Sequence, residues 1–176
     1  MIAVIRKIHK LDTLVFLWLH TAKRVDYRQS VRWISRSGDG PCYLVIVLLL
    51  LLFNAIENPH EFLLVAGLAY AIELSLYIVL KNSIRRARPQ ASLNNYRAFI
   101  TPSDTFSFPS GHTAAAFVFA CLIVQIYPVI GWVVFPWACA IGASRVLLGV
   151  HFPSDIAAGA LLGTASTFLA IQVVGV

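Results

Sequence analysis

The stretch Ser144–Asp155, reading SRVLLGVHFPSD, holds a permanent cation (Arg145), an imidazole (His151) and a carboxylate (Asp155). His151 and Asp155 are four apart. If the turn through Pro153 is helical, Asp155 accepts from one ring nitrogen of His151 and leaves the other free as a nucleophile. The plainer alternative makes Asp155 a helix cap and His151 a polar loop residue. A second cluster is Phe108-Pro109-Ser110-Gly111-His112. There Ser110 is the expected N-cap of a helix, whose free N–H groups form an anion site that Gly111 lets a ligand approach closely. The plainer alternative is an ordinary cap with His112 at the membrane interface. A third cluster runs from Lys81 to Arg88-Pro89. Lys81, Arg85 and Arg88 fall at i, i+4 and i+7, which predicts one shared helical face ending at Pro89. Alone, such a cluster reads as basic residues reaching to lipid headgroups.

Taken together, the clusters bring several cations and two imidazoles to one place. The chemistry this suits is phosphoryl transfer. Lys81, Arg88 and Arg145, with the amides around Ser110 and Gly111, would neutralise the equatorial oxygens of a phosphoryl group. Guanidinium groups grip such oxygens as a fork, and lysine serves as a point charge. His151 would attack in line to give a phosphohistidine, with Asp155 holding the ring. His112 would protonate the departing oxygen and then activate the water that releases phosphate. No metal or cofactor is expected, because the cations already supply positive charge and no carboxylate cluster suggests Mg²⁺ ligands.

The elements that must position these groups are membrane helices. The 176 residues are 59% hydrophobic and 12% charged, with a mean hydropathy of +0.76. Soluble domains carry about 25% charged residues. The net charge is +6, yet the Lys and Arg residues are confined to the N-terminal arm and the motif regions. That placement argues for phosphates and headgroups and against nucleic acid, and no obligate protein partner is expected. Cys42, Cys121 and Cys139 form no CxxC and read as packing thiols. No cleavable leader is expected: the first residues are basic, but Leu14–Leu19 is a short apolar run without a small-residue cleavage site.

The expected fold class is all-α, a polytopic membrane bundle with five transmembrane helices and an N-terminal interfacial or short sixth helix. The five are Cys42–Ile56, Glu61–Leu80, His112–Tyr127, Val129–Leu148 and Asp155–Val173. The expected organisation is a basic amphipathic or short membrane segment over 1–37 and a transmembrane domain over 38–176. A span needs roughly 17–25 apolar residues. Leu14–Leu19 falls short of this, with Arg6, Lys7, Lys10 and Asp12 before it and Lys23, Arg24, Asp26 and Arg28 after it. Gly159 and Gly163 are spaced as a small-xxx-small packing face. An up-down order of the five spans puts Lys81, His112, Arg145 and Asp155 on one side of the bilayer. Glu73 lies mid-span and reads either as functional or as a neutral interhelical hydrogen bond; it is left outside the site.

The pattern K-x6-R-P, P-S-G-H and S-R-x5-H-x3-D resembles the three signatures of the type 2 phosphatidic acid phosphatase superfamily, which includes the vanadium haloperoxidases. The match falls at Lys81…Arg88-Pro89, Pro109-Ser110-Gly111-His112 and Ser144-Arg145…His151…Asp155, with every spacing kept. The resemblance implies a membrane lipid phosphatase with His151 as nucleophile and with Ser110 and Gly111 among the phosphate binders. It suggests undecaprenyl diphosphate first, then phosphatidic acid or phosphatidylglycerol phosphate, as the membrane-lipid substrate. A haloperoxidase-like enzyme and a non-catalytic lipid-binding protein are the alternatives. Bacterial integral members commonly have six spans and a periplasmic site, which implies a bacterial inner membrane. If residues 1–37 do not cross, the positive-inside rule instead makes the active-site side cytoplasmic.

Overall fold

The computed structural model describes residues 2–21, 28–102 and 104–176. All its regular structure is helical: α1 (Ile2–Thr21), α2 (Arg28–Ser37), α3 (Gly40–Leu52), α4 (Pro59–Ile84), the short α5 (Pro89–Ser92), α6 (Gly111–Ile126), α7 (Gly131–Leu147) and α8 (Pro153–Val174). Lys23, Arg24 and Asp26 lie outside the described residues.

Prolines mark where helices begin. Pro41, Pro59, Pro89 and Pro153 each occupy the first turn of α3, α4, α5 and α8, where a missing N–H costs nothing and φ is already helical. Pro128 opens a single 3-10 turn between α6 and α7. Between helices the chain turns tightly, as at Asn54, whose φ of 50° ends α3 before the expected Ile56.

The five expected spans are all helical, but they are not equal. Among the described residues, three helices are long and apolar enough to cross a bilayer: α4 (continued into α5), α7 with its preceding turn, and α8. A fourth span arises only if α2 and α3, bent by 53° at their junction, count as one. α6 has 16 residues, a rise of roughly 24 Å, short of the full hydrocarbon core. Among the described residues, three or four candidate spans meet the length and apolarity of a crossing helix, and α3 alone and α6 are shorter apolar helices beside them. α6 keeps its expected place to within one residue, whereas α3 stops at Leu52, short of the expected Ile56. α1 is helical over 20 residues, but with Arg6, Lys7, Lys10 and Asp12 it is not among the helices apolar enough to cross.

α8 is the central strut, packing on both α4 and α6, while α7 closes on α6 and α2 lies against α7. Gly163 makes the α6–α8 approach possible: a Cβ there would lie 2.2 Å from the Ala114 carbonyl oxygen, and one at Gly159 would lie 2.5 Å from that of Ser110. The small-xxx-small face is thus the α6–α8 seam. One apolar core joins Tyr43, Phe119, Ile123 and Ile141 between α3, α6 and α7. Another joins Phe62, Val65, Val118, Leu122 and Ala170 between α4, α6 and α8. The outer surface is apolar too: Leu48, Leu64, Val133, Leu161 and Phe168 are all exposed. A continuous belt of this kind is stable only against lipid. Trp18 and Trp33 are exposed toward one end of the bundle and Trp132 begins α7 at the other, the positions of headgroup-level aromatics. The chain is an integral membrane protein.

Candidate active site

The site lies at one end of the bundle, where α4 and α7 finish and α6 and α8 begin. A cavity of about 290 Å³ there is lined by Lys81, Arg88, Gly111, His112, Arg145 and His151, together with Glu73, Tyr77 and Asp104. Six of the eight expected site residues therefore share one wall. Asp155 lies behind His151, fully buried. Ser110 is also fully buried and off the cavity surface. It sits at the N-cap of α6 as expected, but its hydroxyl makes no capping hydrogen bond; it accepts from the Thr113 hydroxyl at 3.0 Å. The first turn of α6 consequently has no side-chain cap. Gly111 is pressed against Tyr77, whose ring would lie 3.0 Å from a Cβ.

The basic face expected along α4 is corrected. The helix ends at Ile84, Arg85 turns left-handed (φ 49°, ψ 40°), and its Nε donates to the Asn82 carbonyl at 2.8 Å, on the exposed surface. Pro89 forces the preceding residue into extended backbone, and Arg88 has φ −72° and ψ 159°. That extended run carries Arg88 into the cavity by a route no helical periodicity gives.

Arg88 is 4% exposed and braces the loop between α7 and α8. Its Nη1 donates to the Val150 carbonyl at 2.6 Å and lies 3.5 Å from Nε2 of His151. Gly149 (φ +81°) redirects the chain after α7 so that this carbonyl faces Arg88; a Cβ there would overlap the Tyr96 hydroxyl. Arg145 is held by Ser35 of α2, with Nη1 donating to Oγ at 2.7 Å. Its buried Nε has no hydrogen-bond partner among the described residues. A charged donor left unpaired inside a polar cavity is what an anionic ligand would satisfy.

His151 is 2% exposed. Its Nδ1 lies 3.6 Å from Oδ2 of Asp155, longer than a hydrogen bond, so the carboxylate orients the ring by charge across a small gap. Nε2 is the ring nitrogen turned to Arg88 and the cavity. Burial pushes the His151 pKa down to about 4. Asp155 works in the opposite direction, and Arg88 and Arg145 add to the lowering. The imidazole is therefore neutral at physiological pH, as a nucleophile must be. Asp155 is fixed on both oxygens, Oδ2 accepting from the Phe152 amide at 2.8 Å and Oδ1 from Arg86 at 2.8 Å. His112 contacts Asp39 in the α2–α3 turn, Nε2 to Oδ1, at 3.1 Å.

Four acidic or basic residues of this frame were not among the site residues expected from the sequence. Asp104, in the loop before α6, pairs with Lys81 at 2.6 Å and with Arg88, and accepts from the Tyr77 hydroxyl at 2.7 Å. Burial opposes its charge, but hydrogen bonds from Lys81, Tyr77 and Arg88 outweigh that and hold its carboxyl well below the usual range. Asp104 thus holds both cations on the cavity wall. Asp39 and Arg86 complete the polar frame, and Glu73, left outside the site above, is buried on its wall. Only Glu73 gave a signal in the sequence, as a carboxylate within an apolar span.

Residues 62–176 match the family described as the PAP2 superfamily. Undecaprenyl-diphosphatase of Sulfolobus acidocaldarius is 29% identical over 143 residues, 80% of this chain and 68% of that protein. A shorter match, 43% identical over 79 residues, spans 45% of this chain and 39% of the bacitracin transport permease protein BcrC of Bacillus licheniformis. The crystal structure of LpxE from Aquifex aeolicus superposes with a TM-score of 0.74 at 26% identity, covering 92% of this chain and 95% of that one. The helical frame, the three motifs at one end of it and the match over residues 62–176 agree: the chain belongs to the PAP2 superfamily.

Proposed function

We propose that this lipid phosphatase removes the terminal phosphate from a membrane lipid diphosphate, with undecaprenyl diphosphate as the favoured substrate, through a phosphohistidine on His151. The observation that carries the reading is a neutral, buried imidazole facing a cavity walled by Lys81, Arg88 and Arg145. Those cations, with the uncapped first turn of α6, hold the phosphoryl oxygens. Nε2 of His151 attacks phosphorus as the bond to the lipid oxygen breaks, and His112 gives that oxygen its proton. His112 then takes a proton from water, which attacks the phosphohistidine and frees inorganic phosphate and the imidazole. Asp155 holds the ring throughout.

The cavity also suits a substrate arriving from the side. Leu74, half exposed on the lipid face of α4, and Ala115 of α6 line it beside the polar groups. A prenyl or acyl chain can lie there in the bilayer while the headgroup meets the cations. The name carried by the Sulfolobus relative supports the polyprenyl diphosphate; phosphatidic acid and phosphatidylglycerol phosphate are the competing substrates. The active site is proposed to face the periplasm from a bacterial inner membrane.

The test is phosphate release by detergent-purified protein, with EDTA, from undecaprenyl diphosphate, phosphatidic acid, phosphatidylglycerol phosphate and a soluble phosphate ester. Release from undecaprenyl diphosphate well above the rest is expected. Preference for another lipid overturns the substrate, and full activity in His151→Ala overturns the mechanism.

A further inference from the structure

Arg86 belongs to none of the groups lining the cavity, yet its guanidinium meets four side chains on two helices of the polar frame. Nη1 donates to Oδ1 of Asp155 at 2.8 Å and to the Ser154 hydroxyl at 2.7 Å. Nη2 donates to Oδ2 of Asp12 at 2.6 Å and lies 3.3 Å from Nδ1 of His9. The cation also stacks over the Phe152 ring at 4.4 Å. Both carboxylates are buried, Asp155 at 0% and Asp12 at 5% exposure. Asp12 Oδ1 in turn accepts the Ser154 amide at 2.9 Å. One fork thus joins the N-terminal helix to the first turn of α8, directly behind His151.

A buried carboxylate that lacks its cation is either neutralised or moves toward solvent. Asp155 cannot move without releasing the Phe152 amide and losing its place 3.6 Å from His151 Nδ1. A planar guanidinium can serve two carboxylates at once; an ammonium cannot hold both in fixed directions. We propose that Arg86 is a positioning residue for the reaction: it fixes Asp155 behind the nucleophile and is itself held by Asp12 of α1, which makes the N-terminal helix part of the active-site frame. The inference rests on the phosphohistidine reading above.

Because Arg86 acts through Asp155 and does not meet the phosphate, its loss separates turnover from anion binding. In Arg86→Ala, kcat is expected to fall roughly 10–100-fold, as when a group behind a catalytic ligand is removed. The inhibition constant of inorganic phosphate should stay within about twofold, while Arg88→Ala, which loses a cation of the cavity, should raise it. Asp12→Asn should show a smaller kcat loss with the same unchanged inhibition constant, and should add little once Arg86 is gone, since coupled residues are not additive. Unchanged kcat in Arg86→Ala overturns the inference, as does a parallel loss of phosphate affinity in a protein that still melts cooperatively. If Arg86→Ala has no melting transition, Arg86→Lys and Asp12→Asn decide: reduced kcat with unchanged phosphate inhibition supports the frame, and wild-type kcat in both overturns it. Wild-type protein that releases no phosphate from any lipid overturns the hydrolase reading instead, so the two failures are told apart.

Discussion

At the residue scale, burial does most of the chemical preparation. His151 is kept neutral because an imidazolium enclosed with Arg88 and Arg145 costs more than Asp155 returns. The acid limb of kcat/KM should therefore lie nearer pH 4 than the ordinary 6.5 of a histidine, which a pH–rate profile on a soluble ester checks. The same shift bears on stability. Between 6.5 and about 4 the unfolded chain binds a proton that the folded site refuses. The contribution is complete above 6.5 and is lost as pH falls toward 4. Melting temperature should drop over that window, and the drop should shrink in His151→Gln. Arg145 presents the other chemical requirement, an unpaired buried Nε beside an Nη1 already tied to Ser35. A lysine cannot do both, so Arg145→Lys should lose about 1.5–3 kcal/mol of phosphate contact, tenfold or more in kcat/KM.

At the element scale, the site depends on how closely α6 and α8 meet. The Ser110 amide donates to the Asp155 carbonyl at 3.0 Å, so the first turn of α6 and the start of α8, which carries Asp155, are fixed to one another through backbone. That bond requires the glycine seam below it. Gly163→Ala places a methyl group 2.2 Å from the Ala114 carbonyl oxygen, which backbone cannot yield cheaply. The expected result is destabilisation by about 1–3 kcal/mol, read as a lowered melting temperature in detergent, with activity falling alongside it. Gly67, which has open space around it, is the matched control. Gly67→Ala should melt like the wild type or slightly higher, because alanine is the better helix former.

At the scale of the whole molecule, the alternating helices deliver four distant segments to one end of the bundle. α1 and α2 then cover that end, packing on α8 and α7 and supplying Asp12 and Ser35 to the frame. Arg28 and Arg32, both against Phe99, and the motif cations therefore gather at one end. Catalysis demands the motif cations wherever the site lies, so they are poor markers of sidedness. In bacterial cells expressing variants that lack the native cysteines, a membrane-impermeant maleimide should label Ser92→Cys, near the site, and not Asn58→Cys at the far end. The reverse pattern puts the site on the cytoplasmic face.

The sequence by itself determined the family, the helical class and the identity of six side chains or backbone positions that line one cavity. Motif spacing and apolar runs are local, and each survives in one dimension. Even the convergence of Lys81, His112, Arg145 and Asp155 was legible, because alternating crossings leave little choice of side. What only the tertiary structure decided is how those residues are held. The break at Arg85 that sends Arg88 inward depends on Pro89 and on the hydrogen bond of Arg88 to the Val150 carbonyl, not on helical periodicity. Asp104, Asp39, Asp12 and Arg86 meet their partners across separations such as 23, 73 and 74 residues, and no local pattern marks a polar residue as the counter-charge of another so far away. The end of α3 depended on the fold too: apolar composition sets where a helix can lie, whereas a turn such as that at Asn54 sets where it stops.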